Sequence, residues 1–490
     1  MYLLGIDIGS SAVKASLVAV ETGQQAAASQ SPSLEMPMMA ERAGWAEQEP
    51  AEWWRHVCLA VRQVLSVGGI SADSVQAVGL SYQMHGLVMV DRQQRCLRPS
   101  IIWCDSRAVE TGEKAFRALG EARCMERLLN SPGNFTAAKL KWVQENEPAL
   151  FDRIDKMMLP GDYIAMRLTG EISTTASGLS EAILWDFHSE APADWVLEQL
   201  GIPRQVLPPV VGTFSRQGEL TAKAAAETGL QAGTPVSYRA GDQPNNAWSL
   251  GVMAPGEVAA TGGTSGVVYG VTDKPLYDSL SRINGFAHVN HRPEKPRIGL
   301  LLCINGAGIQ YSWLRRQLLG SEVPYDTMEQ LAATVGVGAA GLVVLPFGNG
   351  AERMLGNRTP GGGIRNLHFN VHGKAHLVRA ALEGIAFAFV YGVEILRETG
   401  MDVRMLRVGN DNLFRSCIFS ETVATLLQCS IQQVRTNGAA GAAKGAGVAL
   451  GLFSENPGHP TDLVRTYVPQ SEAVSYQEAY ARWEEALLTS

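Results

Sequence analysis

The chain has 490 residues, of which 46% are hydrophobic and 18% charged, and this composition is typical of a folded globular protein. At roughly 100–200 residues per domain, the length allows two to four domains. The 41 basic and 48 acidic side chains give a net charge of −7. This mild acidity argues against nucleic acid or an anionic membrane as the main partner, because both favour a basic surface.

The apolar segments and the cysteines indicate the compartment. No stretch of about 20 apolar residues is free of charges and glycines, so we expect no transmembrane helix. The N-terminal segment lacks the basic start and the small-residue cleavage site of a signal peptide. The seven cysteines are odd in number and never spaced CxxC, which predicts reduced thiols without disulfides or a zinc site. We therefore expect a cytoplasmic protein.

The first half of the chain alternates between strand and helix patterns. Residues 2–20 predict a strand, a Gly-Ser-Ser turn and a second strand, and residues 50–66 predict an amphipathic helix that begins after Pro50. Further strands are predicted over 75–81 and 87–91, and further helices over 136–147 and 150–159. Strands followed by helices favour an α/β fold with a mixed sheet.

The second half begins after a proline-rich stretch over 200–235, and we place the domain boundary at 245–255. Residues 257–271 repeat the strand–turn–strand pattern of residues 5–18, which suggests two related halves, although two glycine hairpins can also resemble each other by chance. Helical patterns follow over 377–399, 424–429, 438–452 and 473–489. Aromatic residues lie on one face of the last helix and predict core packing there.

The first motif that could carry chemistry is the turn at the start of the chain. Asp7 lies near the end of an apolar strand, and a glycine and the hydroxyls of Ser10 and Ser11 follow. Such a turn offers backbone N–H groups and hydroxyls to a phosphate, and Asp7 would hold a hydrated Mg²⁺ against it. An ordinary hairpin stabilised by polar side chains is the alternative.

A similar turn opens the second half of the chain. Gly263, Thr264 and Ser265 lie between two predicted strands and could contact a second phosphate. Two such turns facing each other across a cleft would hold a polyphosphate from both sides. A plain glycine-rich connection is the alternative for this segment.

A third segment combines an acid with amides at the end of a strand. Asp242 could accept a proton from a substrate hydroxyl as that hydroxyl attacks phosphorus. The amides after it, Gln243 among them, could bind sugar hydroxyls. The alternative is structural, because an aspartate in this position is also suited to cap the N-terminus of a helix.

Two further segments offer groups that suit a sugar. Met84 could pack on the apolar face of a sugar, and His85 could hydrogen-bond its hydroxyls. Trp103 and Asp105 place an aromatic wall beside an acid. A structural histidine and a structural ion pair between Asp105 and Arg107 are the respective alternatives.

Taken together and in this order, these segments resemble the FGGY family of carbohydrate kinases over nearly the whole chain. The resemblance is carried by GIDIGSSAVKA (5–15), QMHG (83–86), IIWCDSR (101–107), AGDQPNNA (240–247), GGTSG (262–266) and LPFGNGAER (345–353). It implies the actin/hexokinase/Hsp70 type of fold, with two ribonuclease H-like domains around a central cleft. Residues 1–248 would form the sugar-binding domain, and residues 249–490 the nucleotide-binding domain.

The resemblance also implies an activity, ATP-dependent phosphorylation of a ketopentose, with D-xylulose as the leading substrate. Asp242 would be the catalytic base, and Asp7 would hold Mg²⁺ through water. The implied sugar-binding residues are Met84, His85, Trp103, Asp105 and Gln243. The implied nucleotide-binding residues are Ser10, Ser11, Lys14, Gly263, Thr264, Ser265, Gly306, Gln310, Gly409, Asn410 and Asn412. By analogy with the family, the chain would form a homodimer.

The chain departs from the family pattern at three places. Gln243 replaces an asparagine, which puts the identity of the sugar in question. Asn410 and Asp411 replace a glycine pair; both residue types tolerate a positive φ, but Asp411 adds a negative charge near the nucleotide. Asn366 replaces a third glycine.

Two alternative functions stay open. One is a kinase for another ketose or polyol, such as ribulose or glycerol. The other is a catalytically silent sugar-binding protein on the same scaffold, which the retention of Asp7, Thr264 and Asp242 disfavours.

Overall fold

Two large mixed β-sheets form the framework of the computed structural model, which describes residues 1–455 and 462–490. In the first sheet the central strand runs parallel to one neighbour and antiparallel to the other, and its apolar side chains are buried on both faces. The strands of this sheet lie in the order Val236–Gly241, Val75–Tyr82, Tyr2–Ile8, Val13–Ala19, Gln25–Ser31.

The second sheet repeats this arrangement. Its strand Glu257–Gly262 pairs antiparallel with Gly266–Thr272 and parallel with Met405–Gly409. Both strand–turn–strand predictions are therefore confirmed, and the two hairpins hold equivalent places in their sheets. The strands of the second sheet lie in the order Asn284–Ala287, Ile298–Ile304, Gly266–Thr272, Glu257–Gly262, Met405–Gly409, Ile431–Val434, Leu463–Tyr467.

The helices surround these sheets. Their bounds are Pro50–Gly68, Val109–Leu119, Glu121–Leu128, Thr136–Asn146, Pro148–Phe151, Pro160–Thr169, Ala176–Glu181, Asp194–Leu200, Ala222–Thr228, Asp242–Ser249, Gly308–Leu314, Tyr325–Ala333, Lys374–Glu398, Cys417–Leu427, Gly438–Ala449 and Ala473–Leu488. Single turns of tighter or wider helix lie at Ala72–Ser74, Arg204–Val206, Arg315–Leu319, Ala339–Gly341, Arg353–Leu355 and Asn412–Arg415. Within the described ranges, no helix combines the length and apolar character needed to cross a membrane.

Short strand pairs complete the fold, and one of them corrects a prediction. The helix predicted over 150–159 is wrong: Lys156–Met158 is a strand that pairs with Val88–Val90. A partner distant in sequence overrides the local helical pattern here. The remaining short strands are Glu47–Gln48, Ser100–Ile101, Thr174–Thr175, Trp185–Asp186, Ala191–Pro192, Val210–Val211, Val343–Phe347 and Gly361–Arg365.

The aromatic stripe of the last helix packs into the core, as predicted. Tyr476, Tyr480 and Trp483 are all buried. The rings of Tyr480 and Trp483 stack with centroids 6.0 Å apart, and Phe387 of the long helix contacts both. These rings therefore stabilise the second half of the molecule and line no ligand site.

The helix Gly438–Ala449 packs on the first sheet, although it lies near the far end of the chain. A Cβ atom on Gly5 would overlap the carbonyl oxygen of Ala439, and one on Gly79 would overlap that of Ala442. Small residues on both surfaces thus let the helix backbone lie directly on the sheet. This packing brings the first turn of the helix to the end of the strand that carries Asp7.

Candidate active site

Asp7 lies where the first sheet meets the helix Gly438–Ala449. Its Oδ1 accepts a hydrogen bond of 2.7 Å from the Ser81 hydroxyl, and Lys14 is its partner across the hairpin. A Cβ atom on Gly438 would lie 2.6 Å from Oδ2 of Asp7, so the carboxylate faces the first turn of the helix, where N–H groups favour negative charge. Burial raises the pKa of Asp7, while Ser81 and Lys14 oppose the rise.

Asp242 is the first residue after the strand Val236–Gly241. The strand before Asp242 and the strand that contains Asp7 both run parallel to Val75–Tyr82. Their carboxyl ends therefore meet at one edge of the sheet. Burial, together with the like charge of Asp7, raises the pKa of Asp242 to about 7, and a hydrogen bond from Gln243 opposes this rise. Two interacting carboxylates with raised pKa values are typical of a site for proton transfer.

The helix-cap alternative for Asp242 is not what the structure shows. The capping residue of the helix Asp242–Ser249 is Gly241, and no side chain makes a capping hydrogen bond there. Asp242 is therefore not the capping residue, although the N–H groups of Asp242 and Gln243 at the start of the helix hydrogen-bond its carboxylate and oppose the rise of its pKa.

Met84 and His85 lie beside Asp242. A Cβ atom on Gly241 would be only 2.6 Å from Cγ of Met84, so the two strand ends are in close contact. His85 has a positive φ of 61°, and its Nδ1 lies 3.0 Å from the main-chain oxygen of Glu181. Burial lowers the pKa of His85 to about 3. The ring is therefore neutral at physiological pH and suited to hydrogen-bond a hydroxyl.

The two aromatic and acidic candidates, Trp103 and Asp105, differ in their surroundings. Trp103 is 54% exposed, and its Nε1 lies 3.5 Å from the Ser10 hydroxyl, at the mouth of the first hairpin. Asp105 is fully buried, and its carboxylate accepts from Arg107 at 2.7 Å and from the Ala46 amide at 2.6 Å. These contacts are those of a structural ion pair, the alternative considered from the sequence, and they do not favour sugar binding by Asp105.

A cavity of about 560 Å³ opens beside the second hairpin. Gly263 and Thr264 line it, and their carbonyls accept from the N–H groups of Gly308 and Ile309 at 3.0 and 2.9 Å. Its volume lies in the usual range for small-molecule sites. The other lining residues are Gly262, Tyr311, Ser312, Arg316, Tyr325, Asp326, Glu329, Asn412, Leu413, Arg415 and Ser416.

Sequence reasoning missed the aromatic part of this cavity. The rings of Tyr311 and Tyr325 stack at a centroid distance of 5.6 Å, and Arg315 lies 4.5 Å over the ring of Tyr325. These residues come from two helices with no shared motif, so no local signal could have identified them.

Several other predicted nucleotide-binding residues do not line this cavity. Ser11 and Ser265 are exposed in their turns. Gly306 is buried, and its N–H donates to Glu352 at 2.8 Å. Gln310 lines a second, separate cavity of about 450 Å³ on the other side of its helix. The structure therefore does not bring Gln310 and Gly306 together with the first cavity.

The loop that departs from the family pattern contributes Asn412 and residues after it to the cavity lining. Gly409 and Asn410 lie outside the lining, whereas Asn412 contributes to it with a positive φ of 51°. Asp411 folds back, so that a Cβ atom on Gly409 would lie 2.8 Å from its Oδ1, and its carboxylate interacts with Lys14. The positive φ thus falls one residue later than the pair considered from the sequence. Asn366 also adopts a positive φ, of 58°.

The donor set fits a magnesium ion bound together with a phosphate. Among residues 1–455 and 462–490, no group of three or more His, Cys, Asp or Glu side chains could hold a metal alone. Mg²⁺ typically keeps several waters and uses one or two carboxylates plus phosphate oxygens. Asp7, with only one of its oxygens bonded to Ser81, is suited to this role.

Two buried ionisable residues near His85 were not predicted. Lys139 donates to the main-chain oxygens of His85 and Ile102 at 2.8 and 2.9 Å, and burial lowers its pKa to about 7. Glu181 is buried beside Gly241. Lys139 lies in NFTAAKLKWV (134–143), a segment that matches the family pattern, but no role was assigned to it from the sequence, and only the fold brings both residues to the site.

Comparisons with known proteins identify the family of the chain. Residues 2–248 match the N-terminal domain, and residues 258–450 the C-terminal domain, of the FGGY family of carbohydrate kinases. The chain is 30% identical to the xylulose kinase of Bacillus subtilis over 82% of this chain and 79% of that protein. It is also 30% identical to the xylulose kinase of Escherichia coli, over 93% and 90%. The crystal structure of xylulose kinase from Rhodospirillum rubrum superimposes with a TM-score of 0.87 and 26% identity, over 100% of this chain and 99% of that one.

Proposed function

The chain belongs to the FGGY family of carbohydrate kinases, and we propose that it transfers the γ-phosphoryl group of ATP to D-xylulose, forming D-xylulose 5-phosphate. The predicted α/β fold of two domains, of the actin/hexokinase type, is confirmed. The observation that carries the proposal is the position of Asp242. Gly241, the residue before it, contacts Met84, and the Asp242 carboxylate interacts with Asp7, which together with burial raises its pKa to about 7.

The proposed reaction depends on positioning and on charge neutralisation, as phosphoryl transfer generally does. In this proposal the domain of residues 1–248 binds the sugar through Met84, His85 and Gln243, and the domain of residues 249–490 binds ATP. Asp242 orients the attacking hydroxyl and accepts its proton, which a carboxylate with a pKa of about 7 does well at neutral pH.

The phosphates of ATP would lie between the two hairpins. Ser10 and Lys14 would approach them from the first hairpin, and Gly263 and Thr264, which line the cavity, from the second. Asp7 would hold a Mg²⁺ ion through water, and the ion would neutralise part of the phosphate charge. Closure of the cleft over both substrates would exclude water and limit hydrolysis of ATP.

Two further features of the proposal concern the setting of the enzyme. The seven cysteines are all free thiols, and free thiols are usual in the reducing cytoplasm, where we propose that the enzyme acts. Its assembly as a homodimer stays a prediction from analogy.

A kinase for a different polyol is the second candidate, because Gln243 is one methylene longer than the asparagine common in xylulose-phosphorylating relatives. Gln243 hydrogen-bonds Asp242, so this extra length acts directly at the acceptor hydroxyl. Because of this longer side chain, ribulose and glycerol are the alternative substrates to test.

A panel of D-xylulose, D-ribulose, L-ribulose and glycerol, with ADP release as the readout, tests the proposal. We expect the highest kcat/KM with D-xylulose. The control is Asp242→Asn, which should lower kcat by about 10²- to 10⁴-fold, the usual contribution of a general base, while calorimetry shows retained sugar binding. Near-normal kcat in this variant would contradict the role of Asp242.

A further inference from the structure

Glu181 is a buried carboxyl group without a partner. It ends the helix Ala176–Glu181, and its residue is only 1% exposed. Neither Oε1 nor Oε2 has a partner with hydrogen-bonding geometry. Leaving a polar group buried and unpaired is costly, and a carboxyl group is among the costliest. A buried, unpaired carboxyl group therefore indicates either a ligand that hydrogen-bonds it or a function that compensates for the lost stability.

The other fully buried carboxylates of the site region are paired. Asp105 binds Arg107 at 2.7 Å, and Asp162 lies 3.0 Å from Arg239. The Tyr82 hydroxyl and the Lys139 ammonium group lie near enough to Glu181 to lower its pKa against the effect of burial, but the Tyr82 hydroxyl likewise lacks a partner with hydrogen-bonding geometry. The two structural carboxylates are thus paired directly with arginine, whereas the cation that acts on Glu181, Lys139, donates instead to the main-chain oxygens of His85 and Ile102.

The unpaired carboxyl group lies at the proposed sugar site. A Cβ atom on Gly241 would be 2.6 Å from Oε2 of Glu181 and 2.6 Å from Cγ of Met84. The main-chain oxygen of Glu181 also accepts from His85. Burial raises the pKa of Glu181 well above its ordinary value, and the charge of Asp242 adds to this rise. Glu181 is therefore next to Met84, to His85 and to the residue before Asp242.

We propose, on the basis of the sugar kinase function above, that Glu181 is a sugar-recognition residue whose carboxyl group hydrogen-bonds hydroxyls of the bound substrate. Hydroxyls both donate and accept, so they can pair with a carboxyl group in either protonation state. Since proton transfer is assigned to Asp242, Glu181 acts on affinity and on stereochemical selection. A buried group built to bond a hydroxyl strongly disfavours an isomer that leaves it unpaired.

The test uses two substitutions of Glu181 and one matched control. Glu181→Gln keeps the shape and one acceptor oxygen, and Glu181→Met keeps the volume without the polar atoms. The control is Glu383→Gln, because Glu383 is also buried but accepts from Arg379 at 2.7 Å and from the Gly338 amide. Affinity for D-xylulose and for the other sugars of the panel is measured by calorimetry without nucleotide, beside Tm, KM and kcat.

We expect Glu181→Met to weaken binding of the preferred sugar by about 10- to 100-fold, as loss of hydrogen bonds to an ionisable group typically does. Glu181→Gln should weaken it less, and the preference among sugar isomers should narrow in both variants. KM should rise with little change in kcat, and Tm should not fall, because no protein partner is lost. Glu383→Gln should show the opposite pattern, with a lowered Tm and unchanged sugar affinity.

Two results would overturn the inference, and they differ. If wild-type enzyme binds and phosphorylates a sugar but both Glu181 variants bind it equally well, or fail to fold, Glu181 has a structural role with Tyr82 or an internal water. If the wild-type enzyme binds no sugar of the panel, the proposed function itself fails, and the role of Glu181 fails with it.

Discussion

The Ser81 hydroxyl donates a 2.7 Å hydrogen bond to Oδ1 of Asp7, and the two residues are register partners on adjacent parallel strands. This bond fixes one oxygen of the carboxylate and leaves the other facing the helix that begins at Gly438. It also lowers the pKa of Asp7 against the effect of burial. The charge and orientation of the proposed magnesium ligand therefore depend on a neighbouring strand.

Ser81→Ala should impair the use of Mg²⁺. Loss of a hydrogen bond to a charged group costs about 1.5 kcal/mol or more, so we expect about a 10-fold rise in the Mg²⁺ concentration that gives half-maximal rate. Ser237→Ala is the matched control, because Ser237 is equally buried on a neighbouring strand but donates to the Ala446 carbonyl. An unchanged Mg²⁺ dependence in Ser81→Ala would contradict this role.

The rate should depend on pH through Asp242. A general base must be ionised, and the pKa of Asp242 is raised to about 7. Below pH 7 we therefore expect kcat/KM for the sugar to fall about tenfold per pH unit, and above pH 7 to reach a plateau. Asp7→Asn removes a like charge, so in its residual activity the acidic limb should move to lower pH.

His85→Asn controls for the other group that commonly titrates near neutrality. Burial holds the pKa of His85 at about 3, so this histidine is neutral throughout the range measured. The variant should bind sugar less tightly but keep an acidic limb near pH 7. Disappearance of the limb in His85→Asn would assign it to the histidine instead.

Asp411→Asn should improve the binding of ATP. The Asp411 carboxylate interacts with Lys14 on the first hairpin, so at the proposed site it would both repel the nucleotide and compete with it for the Lys14 charge. We expect KM for ATP to fall by about 2- to 5-fold at low ionic strength, with a smaller change at high salt because screening weakens exposed charges. A raised KM would show that Asp411 assists nucleotide binding.

Gly79→Ala should destabilise the protein strongly. A Cβ atom there would overlap the carbonyl oxygen of Ala442 and separate the helix Gly438–Ala449 from the first sheet. Overpacking of this kind costs about 1–3 kcal/mol or more, which should appear as a lowered Tm. Gly336→Ala is the control, because its added methyl group would meet no atom within 4 Å. Equal Tm values for the two variants would contradict the close packing.

Much of the site was predictable because its residues end strands. Asp7, Asp242 and the Met84–His85 pair each follow a short apolar run, and parallel strands bring such ends to one edge of a sheet. The long helix Lys374–Glu398 was predicted within a few residues for a similar reason, since its apolar periodicity is local. The prediction of a helix over 150–159 was wrong because part of this segment pairs as a strand with a segment distant in sequence.

What the sequence determined by itself is therefore the set of local units: the two hairpins, the amphipathic helices and the acids at strand ends. The tertiary structure alone decided that Asp105 pairs with Arg107, that Gly438–Ala449 lies on the first sheet, and that Glu181 is buried without a partner. These features depend mainly on contacts between residues that are far apart in sequence. Local periodicity and turn preferences carry no information about such long-range contacts, because they reflect only the interactions of residues close in sequence.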